Sequence, residues 1–249
     1  MLTYDLGQGV CAFSTERRGG YSEGAYASFN ANAYCGDEER MVRLNRDLLC
    51  ESLGLEASRL IIPHQIHGAR VRRIDEAFFM QADAVKAVTL EGVDAVMTDV
   101  PKVCVSVSTA DCIPILIYDY AHHAAAAVHA GWRGTVKRIA CKAVKMMEVS
   151  FGSRPEDLTA VIGPGISIDA FEVGDEVYAE FEAAGFNMAD ISRKEDKWHI
   201  NLPECNRRQL AAMGLKEDNI NVSGVCTYNN SDDHFSARKL GLDHAGMYK

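Results

Sequence analysis

Ile113-Pro114-Ile115-Leu116-Ile117-Tyr118-Asp119, followed after four residues by Ala124-Ala125-Ala126-Ala127-Val128-His129, is the stretch that decides the fold. Both runs are short and mostly apolar, and the first is rich in β-branched side chains. With Val103-Cys104-Val105-Ser106-Val107-Ser108 upstream, they read as three central strands covered on both faces. Thr135 to Phe151 then places Ile139, Ala140, Ala143, Met146 and Met147 on one side of a helix, with Thr135 as its N-cap. A strand feeding a helix is a βα unit.

Working outward, Leu158 to Ile162 reads as a strand, and Asp175 to Ala184 and Pro203 to Met213 as helices. Upstream, residues 9 to 14 read as a strand. Asp37 to Leu53 reads as a helix capped by Asp37 and closed by Gly54. Arg59 to Ile62 and Ala69 to Ile74 read as strands flanking the irregular connection Pro63-His64-Gln65-Ile66-His67-Gly68. No linker, repeat or low-complexity tract divides the chain. The expectation is an α/β fold: one compact domain over residues 1–249 with a mixed β-sheet core flanked by helices.

The 249 residues carry 26 Lys and Arg against 35 Asp and Glu, a formal charge of −9, and 47% of them are apolar. An acidic chain supplies no basic field for phosphates, which argues against nucleic acid as a partner. Its apolar runs fall short of the roughly 18 to 20 residues of a membrane helix. The first residues lack the basic and apolar regions of a secretory signal, so a cytoplasmic protein acting on a small molecule is expected. The eight cysteines form no C-x-x-C pair and, in a reducing compartment, are expected to fill the core, with Cys112 the one to carry function.

Three loops place soft or titratable side chains beside turn residues at strand ends: His64 to Gly68, Thr109-Ala110-Asp111-Cys112-Ile113-Pro114, and His129-Ala130-Gly131-Trp132-Arg133-Gly134. Taken singly, Cys112 reads as a space-filling thiol, a metal ligand or a nucleophile, and His129 as a core histidine or a ligand. His67 is preferred over His64 because Gly68 frees the adjacent backbone to aim it. A set of His67, Cys112 and His129 would match the three protein ligands of catalytic zinc, leaving a fourth position open. The ligands are 45 and 17 residues apart in sequence, so such a site forms only on folding. Asp111 is either a turn cap or an acid–base residue beside the ligands. Arg133 could hold an anion. His122-His123, in an exposed hairpin turn, are assigned no role.

Taken together, His64-Gln65-Ile66-His67-Gly68, Thr109 to Leu116, Val128 to Gly134, Ile162-Gly163-Pro164-Gly165-Ile166 and Phe171-Glu172-Val173-Gly174 strongly resemble the YfiH-like family, known variously as polyphenol oxidoreductase laccase, purine nucleoside phosphorylase and peptidoglycan editing factor. The resemblance runs from the Thr15 to Gly20 loop through Asn30 and Cys35-Gly36-Asp37 to Phe235-Ser236-Ala237-Arg238. It implies a metal site of His67, Cys112 and His129 holding zinc or copper. It also implies phosphorolysis of adenosine, inosine, guanosine and methylthioadenosine, with adenosine deamination. Cys112, His129, His67 and Asp111 would then be the catalytic set, and Arg17, Asn30, Arg133 and Arg238 the substrate-binding one. The sequence departs from the family at Glu16, where Thr or Ser is usual, and at Ala237, where an aromatic residue is usual.

A conventional multicopper oxidase would need on the order of ten histidine ligands, usually in His-x-His pairs. This chain has eight histidines and no His-x-His. A conventional multicopper oxidase is thus excluded, and three further readings remain: a single-copper polyphenol oxidoreductase, an amidase-type hydrolase with Cys112 as nucleophile activated by His129, acting on a peptidoglycan precursor, and a non-catalytic binding protein for a nucleoside or metal signal.

Overall fold

The computed structural model describes residues 1–241. The last eight residues of the expected domain, 242–249, lie outside the described residues. In chain order the elements are β1 (Leu2–Tyr4), β2 (Ala12–Ser14), α1 (Glu39–Leu53), β3 (Leu60–Ile61), β4 (Val71–Arg73), α2 (Glu76–Phe79), α3 (Asp83–Leu90), β5 (Ala95–Thr98), β6 (Cys104–Val105), β7 (Ile113–Asp119) and β8 (Ala124–Ala130). They continue with α4 (Trp132–Val136), α5 (Ile139–Phe151), β9 (Leu158–Ile162), β10 (Glu172–Val173), α6 (Asp175–Ala183), α7 (Met188–Ile191), β11 (Ser192–Lys194), β12 (Trp198–Ile200), α8 (Leu202–Ala212), β13 (Ile220–Val222) and α9 (Ala237–Leu240).

Six strands form a mixed sheet in the order β13-β9-β7-β8-β5-β4, parallel at its two outer pairs and antiparallel between. The β7–β8 ladder sets Ile113 opposite Ala130 and Pro114 opposite His129. Because strand side chains alternate between faces, Ile113, Ile115 and Ile117 of β7 and Ala124, Ala126, Val128 and Ala130 of β8 share one face. That face packs on Ile139, Ala143, Val144 and Met147 of α5 and Leu202 and Leu210 of α8. Burying each isoleucine contributes about 1.5–3 kcal/mol. The alternate positions, Pro114, Leu116, Ala127 and His129, belong to the opposite face, where Ile61, Ile74, Phe78 and Val96 build a second cluster. The sheet therefore separates a helix-covered core from the face that receives His129.

The expected fold class holds, with local differences. Val103 to Ser108 is not a central strand. Only Cys104–Val105 is extended, paired with β3 in a separate two-stranded sheet, and the place beside β8 is taken by β5. Thr135 does not cap a helix. It lies inside α4, its N–H donating to the Gly131 carbonyl, and the helical run breaks at Arg138, whose φ of 61° starts α5 anew. Asp37 does not cap α1 either; Glu38 holds that position, while the Asp37 carboxylate accepts from Ser22 and Asn30. Gly54 does close α1, in the left-handed conformation glycine favours. Strand β2 starts at Ala12, later than expected, and Cys11 before it is exposed rather than core.

Candidate metal centre

His129 lies near the end of β8 and is 3% exposed. Its ring Nδ1 pairs with Asp94 Oδ1 at 2.8 Å, and its backbone N–H donates to the Asp94 carbonyl, also at 2.8 Å. Asp94 is fully buried immediately before β5. With Nδ1 held by the carboxylate, Nε2 is the nitrogen left to face a ligand. The second Asp94 oxygen accepts the backbone N–H of Gly68 at 2.8 Å and of Ile66 at 3.4 Å. One carboxylate therefore orients His129 and grips the backbone on both sides of His67.

His67 holds a left-handed φ of 58°, a conformation uncommon outside glycine and tolerated here by that grip. Its ring meets His129 edge-on, with centroids 4.8 Å apart. Cys112 enters from the third loop, directly after Asp111, which has a φ of 86°. The ligand atoms of His67, Cys112 and His129 all lie within 4.8 Å of one another. Among the described residues they are the group of histidine, cysteine and carboxylate donors arranged to hold a metal ion.

The pocket they form depends on Gly131. A Cβ there would come within 2.9 Å of Cys112 Sγ and 3.0 Å of His67 Cδ2, so any side chain would occupy the space between the donors. Burial opposes ionisation of Cys112, but the charge of His129 and hydrogen bonds from His129 and His67 outweigh it and lower the thiol to about 6. Burial likewise opposes charge on His129, yet the Cys112 thiolate and Asp94 raise it to about 9. Burial pushes the Asp94 carboxyl up, and the His129 hydrogen bond and charge with the Gly68 and Ile66 N–H groups bring it below the usual range. Each of the two groups thus favours the charged form of the other. One thiolate and two imidazoles around a gap no side chain fills fit a borderline-soft divalent ion such as zinc.

The other expected site residues are more dispersed. Asp111, next to Cys112, has both oxygens engaged: Oδ1 accepts from the Thr227 hydroxyl and Oδ2 from the Arg238 backbone N–H, each at 2.7 Å. The Arg238 guanidinium instead reaches the Glu172 carbonyl, at 3.1 Å. Arg17 donates to the carbonyls of Ala27 and Ser231 and lies over the Phe235 ring. Arg18 is exposed and paired with Asp233. Asn30 is buried and donates to Asp37. Arg133, on α4, stacks over Trp132. His64 is turned to Glu91 and stacks on Tyr34. A cavity of about 940 Å³ is lined by Pro114, Leu116 and Ala125 of the sheet together with Arg17, Asn30 and Thr227; none of the three ligands lines it.

Asp94 and Thr227 escape the sequence reading. Asp94 could have been found as a carboxylate directly ahead of the short apolar run Ala95-Val96-Met97, the place from which a strand end reaches a neighbouring strand's last residues. Thr227 carries no comparable signal.

Fold and donors define the class: a mixed α/β domain with three donors that could hold a metal ion, gathered at the end of its sheet. A family model described as multi-copper polyphenol oxidoreductase laccase matches residues 11–247, and the chain belongs to that family. The purine nucleoside phosphorylase of Bacteroides thetaiotaomicron is 46% identical over 94% of this chain and 87% of its own length. Adenosine deaminase RL5, from an unknown prokaryotic organism, is 40% identical over 97% of this chain and 95% of its own. The crystal structure of Bacillus licheniformis YfiH superposes with a TM-score of 0.86 at 28% identity, covering 93% of this chain and 88% of that one. The YfiH resemblance read from the sequence and the single mixed-sheet architecture are both upheld. Among the described residues, no helix is long and apolar enough to cross a membrane.

Proposed function

We propose that the protein is a zinc-dependent, cytoplasmic purine nucleoside phosphorylase that also deaminates adenosine. The observation that carries this reading is the convergence of His67, Cys112 and His129 around the space left by Gly131, in a chain whose relatives bear phosphorylase and deaminase names. His67, Cys112 and His129 would hold the ion, which would supply Lewis acidity to the reaction. The chain supplies the rest. Asp94 keeps the proton of His129 on Nδ1, so that Nε2 remains a donor to the metal. Asp111 is the acid–base group, its Oδ1 held in place by accepting from the Thr227 hydroxyl. Arg17, Arg133 and Arg238 offset the charge of phosphate in a protein of net charge −9, and Asn30 holds the nucleoside.

In phosphorolysis the glycosidic C–N bond breaks, a phosphate oxygen bonds to C1′, and the purine leaves with a proton. In deamination water adds to the purine C6 and ammonia departs. Metal analysis of purified protein, with product detection from adenosine in the presence and absence of phosphate, tests both. Adenine that requires phosphate, inosine that does not, and one equivalent of zinc are expected. Copper in zinc's place would move the reading toward oxidoreductase chemistry.

A second reading draws on the Asp94–His129–Cys112 line, which also has the order of an activated thiolate nucleophile. If chelated protein retains full turnover on an amide substrate while thiol alkylation abolishes it, that reading replaces the first.

A further inference from the structure

Pro63 stands where the parallel β3–β6 pair would continue. The rungs run from Leu60 with Cys104 to Ile61 with Val105, and Ser106 N–H then donates to the Ile61 carbonyl at 3.0 Å. A proline has no N–H to offer the next rung. Two residues later the Gln65 side chain supplies what the backbone lacks. Its Nε2 donates to the Ser108 carbonyl at 2.8 Å, and its Oε1 accepts the Ser108 N–H at 2.7 Å. A primary amide presents a donor and an acceptor side by side, as a peptide group does, so it engages one residue's N–H and C=O in the manner of a neighbouring strand.

We infer that Gln65 is a positioning residue for the metal centre, setting the separation of His67 from Cys112. Gln65 lies two residues before His67, and Ser108 four residues before Cys112. Asp94 fastens the His67 loop to His129, and Gln65 fastens the same loop to the segment that leads into Cys112. Both ligand loops contain a non-glycine residue at positive φ, His67 and Asp111, and such backbone persists only where surrounding bonds hold it. The Gln65 clamp joins the two loops, its side-chain amide gripping the Ser108 backbone.

The inference rests on the reading that His67, Cys112 and His129 hold a metal, and the test separates the two. Wild type, Gln65→Met, which keeps length without either hydrogen bond, and Gln65→Glu, which sets an oxygen against the Ser108 carbonyl, are prepared metal-free. Zinc affinity is measured by competition with a chromophoric chelator. Cobalt(II) is then added, and the thiolate-to-cobalt charge-transfer band is recorded together with the metal-free unfolding midpoint. Both variants are expected to bind zinc about 10- to 100-fold more weakly, with an altered cobalt band and a metal-free midpoint close to wild type. Unchanged affinity and band in both variants would overturn the role of Gln65 and leave the centre standing. A collapse of the metal-free midpoint in both would also overturn it, assigning Gln65 to general stability. Failure of wild type to bind either metal would instead overturn the metal reading itself.

Discussion

At each end of the β7–β8 hairpin a histidine Nδ1 is bonded to a buried aspartate, and only one of the two pairs is joined by further donors. At the open end Asp94 and His129 are 2.8 Å apart, with side chains 0% and 3% exposed. At the turn Asp119 and His122 are 2.7 Å apart, but His122 is 41% exposed. An aspartate–histidine pair is therefore not enough. His129 has a thiol and a second imidazole converging on its other nitrogen, whereas His122 has none of the three donors and is open to solvent. Burial and convergence separate a ligand from a turn lock.

The largest expected effect breaks the open end alone. Cys112→Ala and His129→Ala each abolish bound metal and reduce activity to background, as metal analysis and turnover of adenosine would show; retention of both would dissolve the contrast. Asp94→Asn removes the orienting charge and is expected to weaken metal binding about 10- to 100-fold while leaving a folded protein.

The turn end should answer differently. Asp119→Asn leaves metal content and turnover unchanged but costs about 1.5–3 kcal/mol at neutral pH, because the carboxylate accepts from the backbone N–H groups of Ala121 and His122 and pairs with His122 Nδ1. Burial raises the Asp119 carboxyl, yet these bonds bring it below its usual value. A lowered carboxylate stabilises above its unfolded pKa of about 3.9 and loses that contribution as pH falls through the folded value. The gap between wild type and variant in denaturant unfolding is thus full at pH 6–7 and closes in acid; a gap that widened in acid would refute the assignment. The smallest effect is that of His122→Ala, within about 1 kcal/mol of wild type and silent in activity.

The sequence made the sheet's centre legible where burial is uniform. Strands β7 and β9 run as read, since short unbroken apolar runs leave little choice. Val103 to Ser108 misled because its valines and serines alternate, the mark of a half-exposed strand, and all six residues are in fact partly exposed. Ala95–Thr98, wholly buried, is too short to show any period. At the site, the candidate donors His67, Cys112 and His129 stood out as residue types beside turn residues, and the fold brings them together. Asp94 was not, because its role comes from a pairing between β5 and β8 that no local spacing announces. Gln65 lies within the His64 to Gly68 motif, yet its partner Ser108 is 43 residues away.

Both outer strands of the central sheet are three residues long, and one of them is Val71-Arg72-Arg73. Arg73 is tied to Asp99 and lies over Phe151. An intruding strand would find few unsatisfied peptide groups there and two cations beside them. The margin of the sheet thus guards against fibrous self-association, leaving the interior strands free to be as apolar as the hairpin that presents His129 requires.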